Sequence, residues 1–191
     1  MKTVEIIGYK RANLGKKVSK DLRAEAQVPC VLYGGKDQVH FHVPTFLFRD
    51  IVYTPDSPKI LINVDGKQYE TILQEVQFHP VSENILHADF LELVPTKLVK
   101  VDVPVKFTGT SPGVVKGGKF TVNLKKIKIK AYPKNIPESI SVDISKLELG
   151  KSIKVSAITP GDYTILNNKS LPVATVEVPR ALKGQQAQAA E

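Results

Sequence analysis

The residues best placed to do chemistry stand in two short segments, Gln77-Phe78-His79-Pro80 and Leu86-His87-Ala88-Asp89-Phe90, joined by the turn-forming Val81-Ser82-Glu83-Asn84. Read as strands, alternation puts Gln77 with His79, and His87 with Asp89, on matching outer faces, and it sends Phe78, Leu86, Ala88 and Phe90 inward. Such a patch offers donors and acceptors for base edges or 2′-hydroxyls. Asp89 repels phosphate, so its use on an RNA-facing patch is recognition: it accepts a hydrogen bond from a base amino or imino group. An enzymatic reading, with His87 as base and Asp89 as orienting acid, lacks a partner, because both residues point outward from one strand and no nucleophile is nearby. A plain surface hairpin is the competing reading.

A second cluster joins Arg11 to Gly15-Lys16-Lys17-Val18-Ser19-Lys20-Asp21-Leu22-Arg23. Helical spacing aligns Lys16, Ser19 or Lys20, and Arg23 along one face that can span successive phosphates, while Leu22 on the other side anchors the helix to the core. Ser19 adds a neutral hydrogen bond. Gly15-Lys16 is not a P-loop, since the upstream glycine and the Lys-Ser/Thr pair are missing. Tyr33, ahead of Gly34-Gly35, ends an apolar run at a flexible turn, where a ring can stack on a base or sugar, or else bury with its hydroxyl satisfied. His40 and His42 stand two apart, but with one cysteine and no further ligand pair the chain predicts no metal site and no cofactor. Cys30, between Pro29 and Val31, reads as core and excludes an internal disulfide.

The 191 residues carry a formal net charge of +8, which favours a polyanionic partner. The distribution says more. Residues 1–23 hold seven Lys/Arg against two acids, residues 24–96 four against ten, residues 97–134 ten against one, and residues 135–191 six of each. Two basic patches separated by an acidic body predict two contact surfaces on a large anion, with solvated lysine faces as the plainer alternative. No apolar run approaches the roughly 18 residues of a membrane span, and the opening Met1-Lys2-Thr3-Val4-Glu5 lacks a signal peptide's apolar core, so a cytoplasmic address with no membrane partner is expected.

The elements that must position these groups are mostly strands. Residues 3–9 and 39–43 alternate, and Lys59–Val64, Asp65-Gly66 and Lys67–Leu73 form a hairpin with a type I′ turn signal. Two short helices are predicted: Lys17–Ala26, ended by Pro29, and Thr45–Tyr53, capped by Thr45 and stopped by Pro55. A small closed barrel would bury these strands and limit open edges. Val94-Pro95-Thr96-Lys97 marks a boundary, beyond which Val99–Phe107 and Lys125–Ala131 alternate, the latter with Ile127, Ile129 and Ala131 opposite Lys126, Lys128 and Lys130. Further strands near 140–142, 153–155 and 171–178 complete a second all-β domain. The predicted organisation is mainly β with a few short helices: a barrel over 1–94, a C-terminal β domain over 95–180, and a disordered Gln/Ala-rich tail over 181–191.

These same residues resemble a known family. Gly15-Lys16, Ser19, Leu22-Arg23-Ala24, Pro29 and Tyr33-Gly34-Gly35, with Val76-Gln77, His79-Pro80, His87 and Asp89-Phe90, are similar to the signatures of bacterial large-subunit ribosomal protein twenty-five. The second half, including Gly113-Val114, Gly117-Gly118, Asn135-Ile136-Pro137, Val142-Asp143-Ile144 and Leu149-Gly150, is similar to the domain found in that family's longer, general-stress (Ctc-type) members. The resemblance implies a structural constituent of the large ribosomal subunit, not an enzyme. It implies a barrel bound to the loop E region of 5S rRNA in the central protuberance, and no small-molecule substrate. Carried over are Arg11, Lys16, Ser19, Lys20, Arg23, Tyr33, Gln77, His79, His87 and Asp89. Neighbouring ribosomal proteins or 23S rRNA are the expected partners of the C-terminal domain. Three positions depart from the family pattern: Asp21, where a basic residue is common, Ala26, where the helix end usually has Gly or Asn, and Cys30, where a small residue is usual. A stress-response module that binds proteins through its second domain, with RNA binding incidental, is the alternative.

Overall fold

The computed structural model describes residues 2–179, so the expectation for the 181–191 tail lies outside the described residues. One compact unit takes in the chain up to Val101 together with Ala131–Glu138, and the other takes in Asp102–Lys130 and the chain from Ser139 onward.

The first unit is built from β1 (Thr3–Lys10), α1 (Lys16–Ala24), β2 (Gln27–Tyr33), β3 (Val39–Pro44), a 3-10 turn (Thr45–Phe48), α2 (Arg49–Val52), β4 (Lys59–Val64), β5 (Lys67–Phe78) and β6 (Ile85–Glu92). The six strands close into a barrel in the order β1-β3-β2-β6-β5-β4. Closure uses parallel pairing of β1 with β4, Thr3 opposite Lys59 through Gly8 opposite Val64, and a second parallel pair joins β2 to β6. A closed barrel leaves no unpaired strand edge. Alternation fills its interior: Ile60, Ile62 and Val64 of β4, Cys30 and Leu32 of β2, and Ala88 and Phe90 of β6 are buried. Phe90 packs against Phe41 and Phe48, with ring centroids 5.8 and 6.3 Å away.

The mainly-β, barrel-plus-β-domain reading holds, and the Asp65-Gly66 turn has positive φ at both positions (50° and 85°), as a type I′ turn requires. Four local expectations do not hold. Pro29 does not end a helix; it sits inside β2, opposite His42. α1 instead stops at Ala24 and the chain reverses through Ala26, whose φ of 56° is left-handed. The second predicted helix is a 3-10 turn followed by one α-turn, and Thr45 does not cap it; its hydroxyl donates to the Ala26 carbonyl at 2.8 Å, because the turn must be pinned to the end of α1. The third correction concerns Phe78 and Leu86. The β5–β6 register slips between Gln77 and Phe78, so Gln77 faces His87 but Phe78 faces Ile85. The extra residue, Leu86, forms a bulge that reverses the parity beyond it. Ile85 is therefore buried and Leu86 half-buried, while Phe78, opposite Ile85 at the last position of β5, is exposed. Fourth, Leu22 anchors α1 only partly: no residue of that helix is fully buried.

The second unit holds most of β7 (Val99–Thr108), then α3 (Pro112–Val115), β8 (Lys119–Val122), β9 (Lys126–Ala131), β10 (Ile140–Asp143), β11 (Ser152–Lys154), β12 (Thr164–Ile165) and β13 (Pro172–Glu177). Two sheets form, β10-β7-β9-β12 and β11-β13-β8. Ile144, Leu147 and Val176, with Phe107, Phe120 and Ile153 against them, make a core that draws on both sheets, and Phe107 meets Phe120 edge-on at 5.3 Å. The short elements α3, β8 and β12 have no counterpart in the predicted elements.

Candidate nucleic-acid interface

Each candidate residue is positioned by a different device. Arg11 follows β1, where its backbone N–H donates to His40 O at 3.0 Å, and its Nη2 donates to Ser19 Oγ at 3.0 Å. Ser19 in turn donates to Gly15 O at 2.9 Å, within the first turn of α1. Ser19 is thus a bracket that aims Arg11. Gly15 enters the helix with φ 149°, a conformation that β-carbon-bearing residues rarely adopt. Lys16 and Lys20, one helical turn apart, are exposed on α1.

Arg23, in the last turn of α1, reaches across to β6 and donates from Nε to Leu86 O at 3.0 Å. That carbonyl belongs to the bulged residue, which the irregular ladder leaves without a regular cross-strand partner. One hydrogen bond through Nε leaves the outer guanidinium nitrogens of Arg23 available for a bidentate contact. The bulge therefore joins the helix cluster to the hairpin cluster.

On β6, His87 Nδ1 and Asp89 Oδ1 lie 2.8 Å apart and both side chains are about 30% exposed (31% and 30%). With Nδ1–H turned to the carboxylate, the neutral ring presents Nε2 as an acceptor and the cationic ring presents it as a donor. Asp89 keeps its second oxygen for an external donor. Gln77 is exposed directly opposite His87, and Glu75 stands opposite Asp89. His79 is committed elsewhere: its Nδ1 accepts from Val81 N at 3.3 Å and Ser82 N at 3.2 Å, so it shapes the 79–84 turn and offers only Nε2 outward. Tyr33 ends β2 half-buried beside Leu91 of β6, and burial first, then Asp89 and Glu75, hold its hydroxyl proton more tightly than usual.

The fold gathers these groups on neighbouring elements. Val31 of β2 pairs with Asp89 on one side and His40 on the other, and Pro29 pairs with His42. His42 is stacked on Tyr9 of β1, with ring centroids 5.6 Å apart, and Tyr9 is 52% exposed. Burial first and then the Arg11 charge favour the neutral form of His42, against a weaker pull from Glu25. Cys30, at 0% exposure, is held as a thiol mainly by burial and secondarily by Asp89, which agrees with its reading as core. Glu75 and the Tyr9–His42 stack are additions that sequence reading missed. Their places depend on the β5–β6 and β1–β3 registers, and alternation within a strand does not reveal register.

Comparison with known proteins accounts for both halves. Residues 6–90 match the family model described as the ribosomal L25p family, and residues 98–180 match the one described as ribosomal protein TL5, C-terminal domain. A large ribosomal subunit protein bL25 from Cytophaga hutchinsonii is 60% identical over 191 residues, covering all of both chains. That of Amoebophilus asiaticus is 52% identical over 99% of this chain and 96% of its own. That of Porphyromonas gingivalis (strain ATCC 33277) is 41% identical over 96% of this chain and 97% of its own. Relatives alike along their whole length, together with two adjoining family matches, establish that this chain belongs to the L25p family of large ribosomal subunit proteins, in its two-domain form.

Proposed function

We propose that this chain, a non-enzymatic structural constituent of the bacterial large ribosomal subunit, binds 5S rRNA at its loop E region in the central protuberance. Residues 1–94 carry that contact, and residues 95–180 serve neighbouring ribosomal proteins or a further stretch of rRNA. The observation that carries the 5S reading is the linkage of Arg23 to the Leu86 bulge, three residues from Asp89, which places a basic helix beside a polar strand on a closed barrel. Lys16 and Lys20, with Arg11 and Arg23, neutralise phosphates. His87, Gln77 and His79 meet sugar or base groups, Tyr33 lies against the groove, and Asp89 accepts from a base donor. Four phosphate contacts give a log–log salt slope of about −3 to −4.

The test is the binding of full-length wild type and of an Arg23→Ala, His87→Ala double variant to an isolated loop E fragment across a salt series. At about 1–3 kcal/mol per lost contact, the double variant should bind about 30-fold or more weakly. Equal, fully salt-screened binding by both proteins would reduce the barrel to a generic basic surface.

A further inference from the structure

The second unit contains a basic surface that the barrel site does not use. β9 alternates strictly: Ile127 and Ile129 are completely buried, while Lys126, Lys128 and Lys130 are exposed. The buried face prevents the strand from rotating, so three ammonium groups project from one side at intervals of about 6.7 Å, twice the rise per residue. β9 is an interior strand, between β7 and β12. Its backbone is fixed by the Thr164–Lys130 and Ile165–Ile129 pairs, by Lys128 N donating to Asn167 Oδ1 at 2.7 Å, and by Leu166 N donating to Lys128 O at 2.9 Å. The row is therefore held straight by the sheet.

Ile127 and Ile129 place the strand, and any polar residue would serve on its outer side. Three like charges in a row repel one another, and the neighbouring exposed positions, Thr164 on β12 and Leu166 just after it, bring no carboxylate. On β7 the exposed positions of this unit are Asp102, Lys106 and Thr108. Across residues 97–134 ten lysines stand against that single acid. Lysine presents a point charge without the fork of arginine, which suits phosphate oxygens and not base edges. Protein interfaces are depleted of Lys and enriched in aromatic residues, Met and Arg; Lys106, Thr108, Thr164 and Leu166 beside the row supply none of these, and Tyr132 just past its end is a single exposed aromatic.

We infer that the Lys126–Lys128–Lys130 row of β9 is a second RNA-binding site, which lies along the phosphate backbone of ribosomal RNA without reading its sequence. The inference rests on the chain's membership of a ribosomal protein family and is independent of the 5S reading.

The experiment uses full-length protein and two probes, the 5S loop E fragment and large-subunit rRNA stripped of protein and of 5S rRNA. A Lys126→Ser, Lys128→Ser, Lys130→Ser variant should bind the large-subunit rRNA with a salt slope shallower by about 2 to 3, three phosphates at 0.7–0.9 each, and bind the loop E fragment like wild type. The corresponding Lys→Arg variant should keep the wild-type slope, and a control with serine at Lys146, Lys151 and Lys154 should change it little. An unchanged slope in the β9 serine variant, or an equal change in the control, would overturn the site. So would failure of the arginine variant while its thermal midpoint stays at the wild-type value. A photocrosslinker replacing Lys128 in assembled large subunits should join to rRNA, and crosslinking only to protein, or to nothing, would defeat the proposal. Loss of loop E binding by the Arg23→Ala, His87→Ala variant is read separately, so the two readings succeed or fail independently.

Discussion

The outer face of the barrel and the outer face of β9 both present basic residues, yet they hold them in opposite ways. On the barrel six of the ten candidate groups are tied in place: Arg11 to Ser19, Arg23 to the Leu86 carbonyl, His79 to its own turn, His87 to Asp89. On β9 the backbone is fixed and the lysine side chains extend into solvent. Tethered groups lose little conformational freedom on binding and arrive with defined donor and acceptor directions, whereas free ammonium groups contribute charge with little direction. Selectivity is therefore expected from the barrel, and salt-sensitive affinity from both.

The largest effect expected from breaking this contrast comes from the core beneath the tethered groups. Phe90→Ala, which empties the space between Phe41 and Phe48, should destabilise the fold by about 3–5 kcal/mol in urea denaturation. Binding to loop E should fall in step with the unfolded fraction, because the site depends on barrel geometry. Asp89→Asn addresses direction without changing the count of cations. It should lower discrimination between loop E and a mismatched duplex by about 1–3 kcal/mol while leaving the salt slope within one unit of wild type. A steep change in slope would mean that Asp89 acts mainly through bulk charge, and the contrast with β9 would dissolve.

Smaller effects sharpen the comparison. Ala26 takes a left-handed conformation just past the end of α1, so Ala26→Gly should stabilise the protein by about 1 kcal/mol in the same denaturation experiment with loop E affinity unchanged. The smallest is a pH effect at His42. Its folded pKa is depressed by burial and by Arg11, so below the usual 6.5 the unfolded chain takes up a proton before the folded one does. The histidine contributes to stability above pH 6.5, and that contribution is lost as pH falls from 6.5 through the depressed folded value. A series of urea midpoints from pH 8 to about pH 5 should show this decline, and His42→Asn should flatten it.

What was legible in the sequence is what depends on neighbours along the chain. The Asp65-Gly66 turn, the Lys126–Ala131 alternation and the basic face of α1 follow from local periodicity and turn chemistry, and each stands as read. The pairing of His87 with Asp89 also followed from period two within one strand. What was not legible depends on register between strands. The bulge at Leu86 turned Ile85 inward and Leu86 away from the core, and no property of either residue announces the slip. The Tyr9–His42 stack and the place of Glu75 needed the β1–β3 and β5–β6 pairings. Pro29 was misread because proline more often breaks structure than sits within a strand, and here its missing N–H falls where β2 tolerates it.

The parallel closure of the barrel also affects how the protein is made. β1 leaves the synthesising ribosome well before its partner β4, which begins only at Lys59, and β2 must wait for β6, which runs to Glu92. Both pairings close long loops, so they form late and together. The helix that carries Lys16, Lys20 and Arg23 lies between β1 and β2 and finds its Leu86 anchor only at that stage. A nascent or truncated chain that stops short of β6 would therefore carry the basic residues without the surface that orients them. Selective RNA binding would begin as an all-or-none event when the barrel closes.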